Sequence, residues 1–274
     1  MTGGFLKEEG LDYDWSVAKP GVTAITALDD GSADVVQSTL SQGFNTLNKG
    51  ETPKCLHFAQ INEMDGFFIT GRNAEPNFQW SNLEGAEVLV NHGGQPMTMF
   101  KYACHKAGID IEKIKIIDAG NGNQMDTAFR EGEGQYIHQQ GPAPQQLAAD
   151  GVGHVLAQLG PTIGACGFSS LAATPAWLAT DTARAFTRAY IKTRDYMNDA
   201  SASEIAKAEK PLFPDIDLEV LTDCIATYQA MGCWTRHIDI TQEGYDAMLD
   251  IFEYDGKLPH RYSYHQVCAP PPAI

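Results

Sequence analysis

The sequence has little positive charge, no long apolar run and no closely spaced cysteines. Its 19 lysines and arginines are outnumbered by 35 aspartates and glutamates, and the net charge of −16 disfavours nucleic acid and anionic membrane surfaces as partners. No apolar run approaches the roughly 20 residues that a membrane-spanning helix needs. We therefore expect no nucleic-acid partner and no membrane span.

Metal-ligand patterns are also missing. The six cysteines are scattered without a paired spacing, and they are expected to be small buried apolar residues. The histidines His57, His105, His138 and His154 do not form a ligand spacing either. The sequence therefore predicts no metal site and no cofactor.

The usual catalytic signatures are absent too. There is no Gly-x-Ser-x-Gly elbow, no His-Glu-x-x-His pair and no phosphate loop ending in Gly-Lys-Ser/Thr. Residues 120–122 begin like a dinucleotide fingerprint but lack the third glycine, which favours a plain loop. No catalytic residue is predicted, although catalytic triads are defined by geometry rather than by order along the chain.

Strand and helix patterns alternate over the first part of the 274-residue chain, which is long enough for one large or two modest domains. A period of two in residues 11–17 predicts a strand with one covered face. Pro20-Gly21 marks a turn. Further strands are predicted at residues 33–36, 54–61 and 66–70. This alternation favours an α/β fold.

The pattern restarts after a polar connector. Strands are predicted at residues 87–91, 113–118, 135–138 and 154–159, with three helices between them. Loops of this length suit a parallel sheet. The rest of the chain is mostly helical and is expected to pack on the first lobe. Its arginines Arg184, Arg188 and Arg194 are expected to face solvent.

These patterns predict two lobes. Lobe I comprises residues 1–72 and 172–274, lobe II comprises residues 85–161, and the hinge crossings are residues 73–84 and 162–171. A chain that crosses between two lobes favours a ligand cleft and a hinge. We expect such a chain to act as a monomer.

Polar residues at the predicted strand ends carry the functional signal. In an open parallel sheet, ligands bind beyond the carboxyl ends of the strands, where helix N-termini present unpaired N–H groups. These positions hold Trp15, Ser38, Thr39, Gln60, Asn62, His92, Gly94, Gln95, Gln139 and Gln140. The set is rich in amides and includes one large aromatic ring, which suits a small polar or heteroaromatic ligand.

Several of these residues have a competing structural interpretation. Ser38 can be a helix N-cap and nothing more, and Trp15 can be a core residue. His92 can be satisfied by backbone carbonyls, and Gln139-Gln140 can form an exposed turn. The sequence alone leaves both interpretations open.

Four segments resemble, in order, the signature segments of one protein family. Residues 4–12 (GFLKEEGLD) are similar to GFFKEEGLDVE, and residues 30–35 (DGSADV) are similar to a G-x-A-D segment. Residues 80–88 (WSNLEGAEV) look like the family's crossing strand, and residues 128–134 (AFREGEG) look like a later segment. The likeness extends over residues 4–252. It is a likeness to periplasmic solute-binding proteins of the nitrate, sulfonate, taurine and thiamine-precursor group.

This resemblance implies a two-lobed, periplasmic-binding-protein-like fold of type II, with a small-molecule ligand in the interlobe cleft. It also implies a periplasmic location and delivery of the ligand to an ABC transporter permease. In the family, the ligand contacts come from strand ends and helix starts. The corresponding positions here are Ser38, Thr39, Asn62, Gly94, Gln95, Gln139 and Gln140.

The sequence departs from the family in two places. Family members have a strand and a helix ahead of the segment that residues 4–12 match, so we expect the first strand and the export leader to be missing from the sequence as given. The related pyrimidine synthases carry a cysteine-rich run, whereas residues 164–170 contain only Cys166. This favours a binding protein without enzymatic activity, with a thiamine-pyrimidine synthase-like enzyme as the alternative. With no arginine placed at the strand ends, the expected ligand is a neutral heteroaromatic rather than a sulfonate or nitrate.

Overall fold

The computed structural model describes residues 2–18 and 22–274, so the predicted turn at Pro20-Gly21 lies outside the described residues. In chain order the strands are β1 (Val36–Ser38), β2 (Leu56–Asn62), β3 (Phe67–Gly71), β4 (Glu87–Leu89), β5 (Lys115–Ile117), β6 (Tyr136–Gln140), β7 (His154–Gln158) and β8 (Ser169–Ala173).

In chain order the α-helices are α1 (Phe5–Glu8), α2 (Ile25–Asp29), α3 (Leu40–Asn48), α4 (Gly94–Lys106), α5 (Gly122–Arg130), α6 (Ala143–Ala149), α7 (Leu159–Ile163), α8 (Pro175–Leu178), α9 (Asp181–Asp199), α10 (Ala202–Glu209), α11 (Leu218–Met231), α12 (Gln242–Tyr254) and α13 (Tyr264–Val267). Short 3-10 helices lie at Trp80–Leu83, Ile111–Lys113 and Lys210–Leu212. Over the described residues, no helix combines the length and the apolar character of a membrane span.

The chain divides into two compact units with different boundaries from the predicted lobes. Unit 1 comprises Met1–Glu63, Cys166–Ala200 and Gly232–Ile274, and unit 2 comprises Met64–Ala165 and Ser201–Met231. Residues 64–72 and 201–231, which were predicted in lobe I, therefore belong to unit 2. The change of unit between Glu63 and Met64 precedes the predicted crossing at 73–84.

Unit 1 contains a three-stranded sheet in the order β1-β8-β2, and β8 is antiparallel to both neighbours. Strand β8 lies beyond residue 159, in a part of the chain that was predicted to be a hinge crossing followed by mostly helical structure. The short segment Ser169–Ala173 becomes a strand because its partners β1 and β2 come from a distant part of the sequence. Long-range pairing of this kind is not visible in a local pattern.

Residues 11–17 do not form the predicted strand. The apolar members of the alternation stay accessible, with Tyr13, Trp15 and Val17 exposed by 36%, 53% and 78%. A period of two produces a strand only where a second strand supplies ladder hydrogen bonds, and no described segment pairs with this one. The segment is therefore extended chain on the surface of unit 1.

Helix α3 supplies the centre of the unit 1 core. It begins at Thr39, whose backbone is extended, and it buries Leu40 and Phe44 one helical turn apart. The Phe44 ring lies 5.9 Å from the ring of Tyr245 and 5.6 Å from the ring of Phe252. Edge-to-face packing of three rings thus joins α3 to α12.

Helix α9 packs against β2 through Phe186 and Tyr190. The Arg194 side chain, predicted to face solvent, is only 2% exposed, and its Nη1 donates to the Ile61 carbonyl at 2.6 Å. The Tyr190 hydroxyl donates to the Gln60 carbonyl at 2.6 Å. The prediction for Arg194 is wrong because an edge strand leaves carbonyls that need donors.

Unit 2 contains a five-stranded mixed sheet in the order β5-β4-β6-β3-β7. Strand β4 is parallel to β5 and β6, whereas β3 is antiparallel to β6 and β7. The four strands predicted for lobe II, which are β4, β5, β6 and β7, run in one direction, but the sheet that contains them is mixed rather than all parallel. The reason is β3, which was predicted in lobe I but lies between β6 and β7.

Helix α11 belongs to unit 2 because its tyrosine closes a hydrogen-bonded contact there. The buried Tyr228 hydroxyl donates to the Gly66 carbonyl at 2.9 Å and accepts from the Gly141 N–H at 3.1 Å. The Tyr228 ring also stacks on Phe68, with centroids 5.9 Å apart. The prediction that the late helices all pack on the first lobe is wrong for α10 and α11.

We predict that Arg72→Met destabilises unit 2 by about 2–3 kcal/mol, because Arg72 donates to three carbonyls, two of which belong to the buried residues Phe129 and Gly134. Its Nε donates to Gly134 at 2.6 Å, and its Nη2 donates to Phe129 at 2.5 Å and to Glu133 at 2.6 Å. The guanidinium carbon also lies 4.1 Å from the centre of the Phe129 ring. Urea unfolding followed by circular dichroism measures the loss. Arg72→Lys should restore little, since one ammonium lacks the planar fork, and wild-type stability in that variant would contradict this interpretation.

Candidate functional site

The sheet of unit 1 brings three predicted site residues to one edge. Because β1 and β2 are both antiparallel to β8, their carboxyl ends lie on the same side of the sheet. We call this strand-end side the edge of unit 1. Ser38 and Gln60 both have Ser170 as their register partner, and Asn62 pairs with Ser169. The strand-end grouping expected for Ser38, Gln60 and Asn62 is thus present within unit 1.

The amides of this edge are engaged within unit 1. Gln60 is 1% exposed, and its Nε2 donates to the Ser169 carbonyl at 3.0 Å. The Asn62 Oδ1 accepts from the Trp234 Nε1 at 2.8 Å, and the Asn62 N–H lies 3.3 Å from the Ser169 Oγ. Both amides position the strand ends, and their contact with a ligand stays a prediction.

Thr39, rather than Ser38, occupies the N-cap position of α3. Its hydroxyl lies 2.6 Å from the Ser41 hydroxyl, and no described side chain caps the first N–H groups of this helix. Those N–H groups carry the positive end of the helix dipole. The edge of unit 1 therefore offers hydrogen-bond donors beside Ser38.

Two serines and a histidine of this edge were missed from the sequence. The His57 Nδ1 lies 2.8 Å from the Ser170 Oγ, and both side chains are buried. Burial lowers the pKa of His57 to about 4, so this imidazole is neutral. The segment Ser169–Ala173 has no period-two alternation to mark it as a strand, and residues 169–171 lay in a predicted crossing.

The sheet of unit 2 brings the other predicted residues to a second edge. Strands β4, β5 and β6 run parallel, so the segments that follow them meet at one side of the sheet. His92 precedes α4, Gly94 and Gln95 start that helix, and Gln139 and Gln140 end β6. Gly94 has φ +59°, a conformation that suits glycine.

The His92 ring is held by its own loop. Its Nδ1 lies 2.9 Å from the Val90 carbonyl oxygen and 3.7 Å from the Asp118 Oδ2. The side chain is 40% exposed, so the ring reaches the surface of unit 2. The backbone contact agrees with the structural interpretation of His92, and a contact with a ligand stays a prediction.

Gln139 is the most informative residue of the unit 2 edge. It is 5% exposed, its Nε2 lies 3.4 Å from the Asp126 Oδ1, and its buried Oε1 has no hydrogen-bond partner among the described residues. Gln95 is similarly buried at 6%, whereas Gln140 is exposed. A buried acceptor without a donor is costly unless a ligand or water supplies one.

The charges beneath this edge are compensated. The Asp126 carboxylate accepts from the Arg130 Nε at 2.6 Å, and the Arg130 Nη1 lies 2.8 Å from the Asp150 Oδ2. The two carboxylates raise the pKa of Arg130, so this guanidinium stays charged and paired. The cation that shares Asp126 with Gln139 is therefore paired with two anions.

A buried histidine in the same strand was not predicted as a site residue. The ring of His138 is stacked at 4.5 Å on Phe67 and lies 5.2 Å from Phe100, and neither ring nitrogen has a partner among the described residues. Burial lowers its pKa to about 3. His138 was set aside because it has no metal-ligand spacing. Over residues 2–18 and 22–274, no cluster of three His, Cys, Asp or Glu side chains is placed to hold a metal ion.

Trp15 belongs to neither sheet. It lies in the extended segment 11–17 and is 53% exposed, which contradicts the interpretation of Trp15 as a core residue. Its role as a stacking platform for a ligand stays a prediction.

Comparison with known proteins identifies similar sequences and folds. The sequence profile of the family described as NMT1/THI5 like matches residues 1–201. The putative binding protein YtlA of Bacillus subtilis (strain 168) is 28% identical over 271 residues, covering 96% of this chain and 80% of YtlA.

Solved structures of low sequence identity share the fold. The ligand binding component of an ABC-type import system from Staphylococcus aureus, with zinc bound, is 16% identical with a TM-score of 0.72, covering 98% of this chain and 92% of that chain. The periplasmic aliphatic sulphonate binding protein SsuA from Escherichia coli is 16% identical with a TM-score of 0.68, covering 91% and 80%. The predicted α/β, periplasmic-binding-protein-like fold is confirmed.

Proposed function

Because the chain belongs to the NMT1/THI5 like family, we propose that it is the substrate-binding component of an ABC-type importer. It captures a small polar or heteroaromatic molecule in the periplasm and delivers it to a permease. The family membership, the similarity to YtlA and the shared fold support this proposal. The chain acts as a monomer, and the hinged cleft expected from the sequence stays a prediction.

The observation that carries the proposal is the buried amide of Gln139. Its Oε1 lacks a donor within unit 2, while its Nε2 is held near Asp126. The side chain is thus fixed with an unused acceptor at the strand ends, where open α/β sheets bind their ligands. A ligand N–H placed there removes the cost of the buried acceptor.

We further propose a neutral heteroaromatic ligand such as a pyrimidine. Amides donate and accept in one plane, which matches the edge of a ring that carries both kinds of group. Arg130, which shares Asp126 with Gln139, is already paired with Asp126 and Asp150. A sulfonate, the ligand named for SsuA, would have to rely on helix N-termini such as that of α3.

A thiamine-pyrimidine synthase-like enzyme is the alternative. That activity would place Cys166 and histidines near iron. Cys166 is fully buried, and its N–H donates to the Glu63 carbonyl at 2.8 Å. Iron-dependent absorbance, or turnover with pyridoxal phosphate, would favour the enzyme over the binding protein.

The first test is a thermal-shift screen against pyrimidines, sulfonates and aromatic acids. A ligand present at 100 times its dissociation constant adds about 2.7 kcal/mol to stability, which raises the unfolding temperature measurably. We expect a pyrimidine to give the largest shift. A larger shift with a sulfonate would overturn the proposed ligand class but would leave the transport proposal standing.

We predict that Gln139→Leu weakens binding of the best ligand from that screen by roughly tenfold, which corresponds to about 1.4 kcal/mol for one lost hydrogen bond. Calorimetric titration gives the affinity. Gln79→Leu, which removes an exposed amide of the same unit, is the matched control and should bind like the wild type. Equal affinity for the Gln139 variant and the control would remove Gln139 from the site.

A further inference from the structure

Unit 2 also has an open groove beside the strand that carries Gln139. The groove has a volume of about 660 Å³ and lies between α6 and α11, over β3 and β7. Its floor contains Phe68 and Val155, and Val155 is a large apolar residue that stays 38% exposed. Volumes of a few hundred to about 1,000 Å³ are typical of binding sites.

One end of the groove is acidic. Glu219 and Asp223 line it from α11 and lie one helical turn apart on the same face. Neither carboxylate has an ion-pair partner in the described part of the chain, and no lysine or arginine lines the groove. The side chain of Gln145 also lines it, and the buried Gln145 Oε1 has no donor among the described residues. The groove thus presents acceptors and no cation.

The other end of the groove is lined by small residues. Ala226 and Ala230 continue the face of α11, and Ala148 and Ala149 face the groove from α6. These alanines are exposed, so the two helices present low walls over an apolar floor. From Glu219 to Ala230 the wall extends for about 16 Å, or three helical turns at 1.5 Å per residue. A helix fits such a shape better than a side chain or a small molecule does.

We propose that this groove docks a basic amphipathic helix of a partner protein. The partner helix places lysine or arginine beside Glu219 and Asp223 and apolar side chains against the alanine walls and Val155. The carboxylates lie at the N-terminal end of α11. A partner helix that docks antiparallel to α11 places its C-terminal end beside them, where cations also suit the helix dipole. None of the residues that line the groove is a predicted ligand contact, although Phe68 is the register partner of Gln139 in the neighbouring strand.

The test uses fluorescein-labelled helical peptides of about 14 residues, long enough to span the three turns. The basic peptide has two lysines in its last two turns and leucines on the same face, and the acidic peptide has glutamates in place of the lysines. Fluorescence anisotropy with the full chain should show saturable binding of the basic peptide only. Binding should weaken as salt is raised, because surface charges are screened.

Two variants test the position of the site. The double variant Glu219→Gln/Asp223→Asn should weaken binding at least about tenfold by removing the paired charges. Ala226→Trp should weaken it similarly by filling the groove. The double variant Glu243→Gln/Glu112→Gln removes the same charge from exposed positions elsewhere and should bind like the wild type.

Several results would overturn this proposal. One is absence of peptide binding by folded wild-type protein. A second is equal weakening in the Glu243/Glu112 control, which would show non-specific attraction to the net charge of −16. A third is retained binding in Ala226→Trp. A fourth is a dimer in sedimentation that Ala226→Trp dissociates, which would make a second copy the occupant.

Discussion

The variant His138→Phe should resist acid better than the wild type does. Burial lowers the pKa of His138 to about 3 in the folded state, whereas an unfolded histidine titrates near 6.5. The stability that depends on neutral His138 is therefore fully present above pH 6.5 and is lost as the pH falls from 6.5 towards 3. Because proton binding is coupled to unfolding, the free energy of unfolding falls by about 1.4 kcal/mol for each pH unit over this range.

The comparison between variants isolates this histidine from its neighbours in the titration. His57, whose pKa burial lowers to about 4, adds a loss of the same sign between pH 6.5 and 4. The buried Asp65 opposes it, because burial raises its pKa to about 7 and its contribution to stability is lost as the pH rises from 3.8 to 7. Both groups are present in wild type and variant, so their effects cancel in the difference.

Urea unfolding at pH 6.5 and pH 4.5 measures this difference. The advantage of His138→Phe over the wild type should grow by about 2–3 kcal/mol between the two pH values. His154→Phe replaces an exposed histidine of the same unit and should show no such growth. If the difference in unfolding free energy between His138→Phe and the wild type did not change with pH, the pKa of His138 would not be lowered in the folded state. That result would contradict the prediction.

The variant Phe44→Ala should lose about 3–5 kcal/mol of unfolding free energy, as large-to-small changes at fully buried aromatic positions do. Phe44 is 0% exposed, and its ring contacts Tyr245 and Phe252 of α12. Removing it leaves a cavity between α3 and α12 that rigid neighbouring rings fill poorly. The expected result is a large fall in the urea midpoint of unit 1.

Two further variants calibrate the Phe44 result. Phe44→Leu keeps part of the buried volume and should lose less than Phe44→Ala. Val17→Ala changes a residue that is 78% exposed and should stay within about 0.5 kcal/mol of the wild type. A loss below about 1 kcal/mol for Phe44→Ala would mean that α3 is not a central core element.

Local patterns predicted most of the individual elements and the α/β class. A helix with Phe44 and Leu47 on its apolar face and an end at Gly50 is readable in this way, because helix periodicity and glycine termination act over a few residues. The strand predicted at residues 66–70 is present as β3, Phe67–Gly71. These signals identify an element but do not say which sheet receives it.

Pairing between distant segments could not be predicted. Strand β3 lies between β6 and β7 because of hydrogen bonds to residues that follow it by far in the sequence. Residues 11–17 had the better alternation and yet form no strand, since no described segment pairs with them. The unit boundary at Glu63 follows from the same long-range pairing.

The candidate site was predicted in outline only. The topology of parallel strands places Gln139 and Gln95 at one edge, and a rule about strand ends is enough to find them. The burial of Gln139, the pairing of Arg130 with two carboxylates and the role of Arg194 depend on side chains from other elements. Such features have no signature in a single segment.

Calorimetric titration of the chain with a pyrimidine, followed by recovery of the bound compound, tests the proposed function most directly. A binding protein should take up one ligand per chain and return it chemically unchanged. Conversion of the recovered compound, or no heat of binding with any pyrimidine, sulfonate or aromatic acid, would contradict the account.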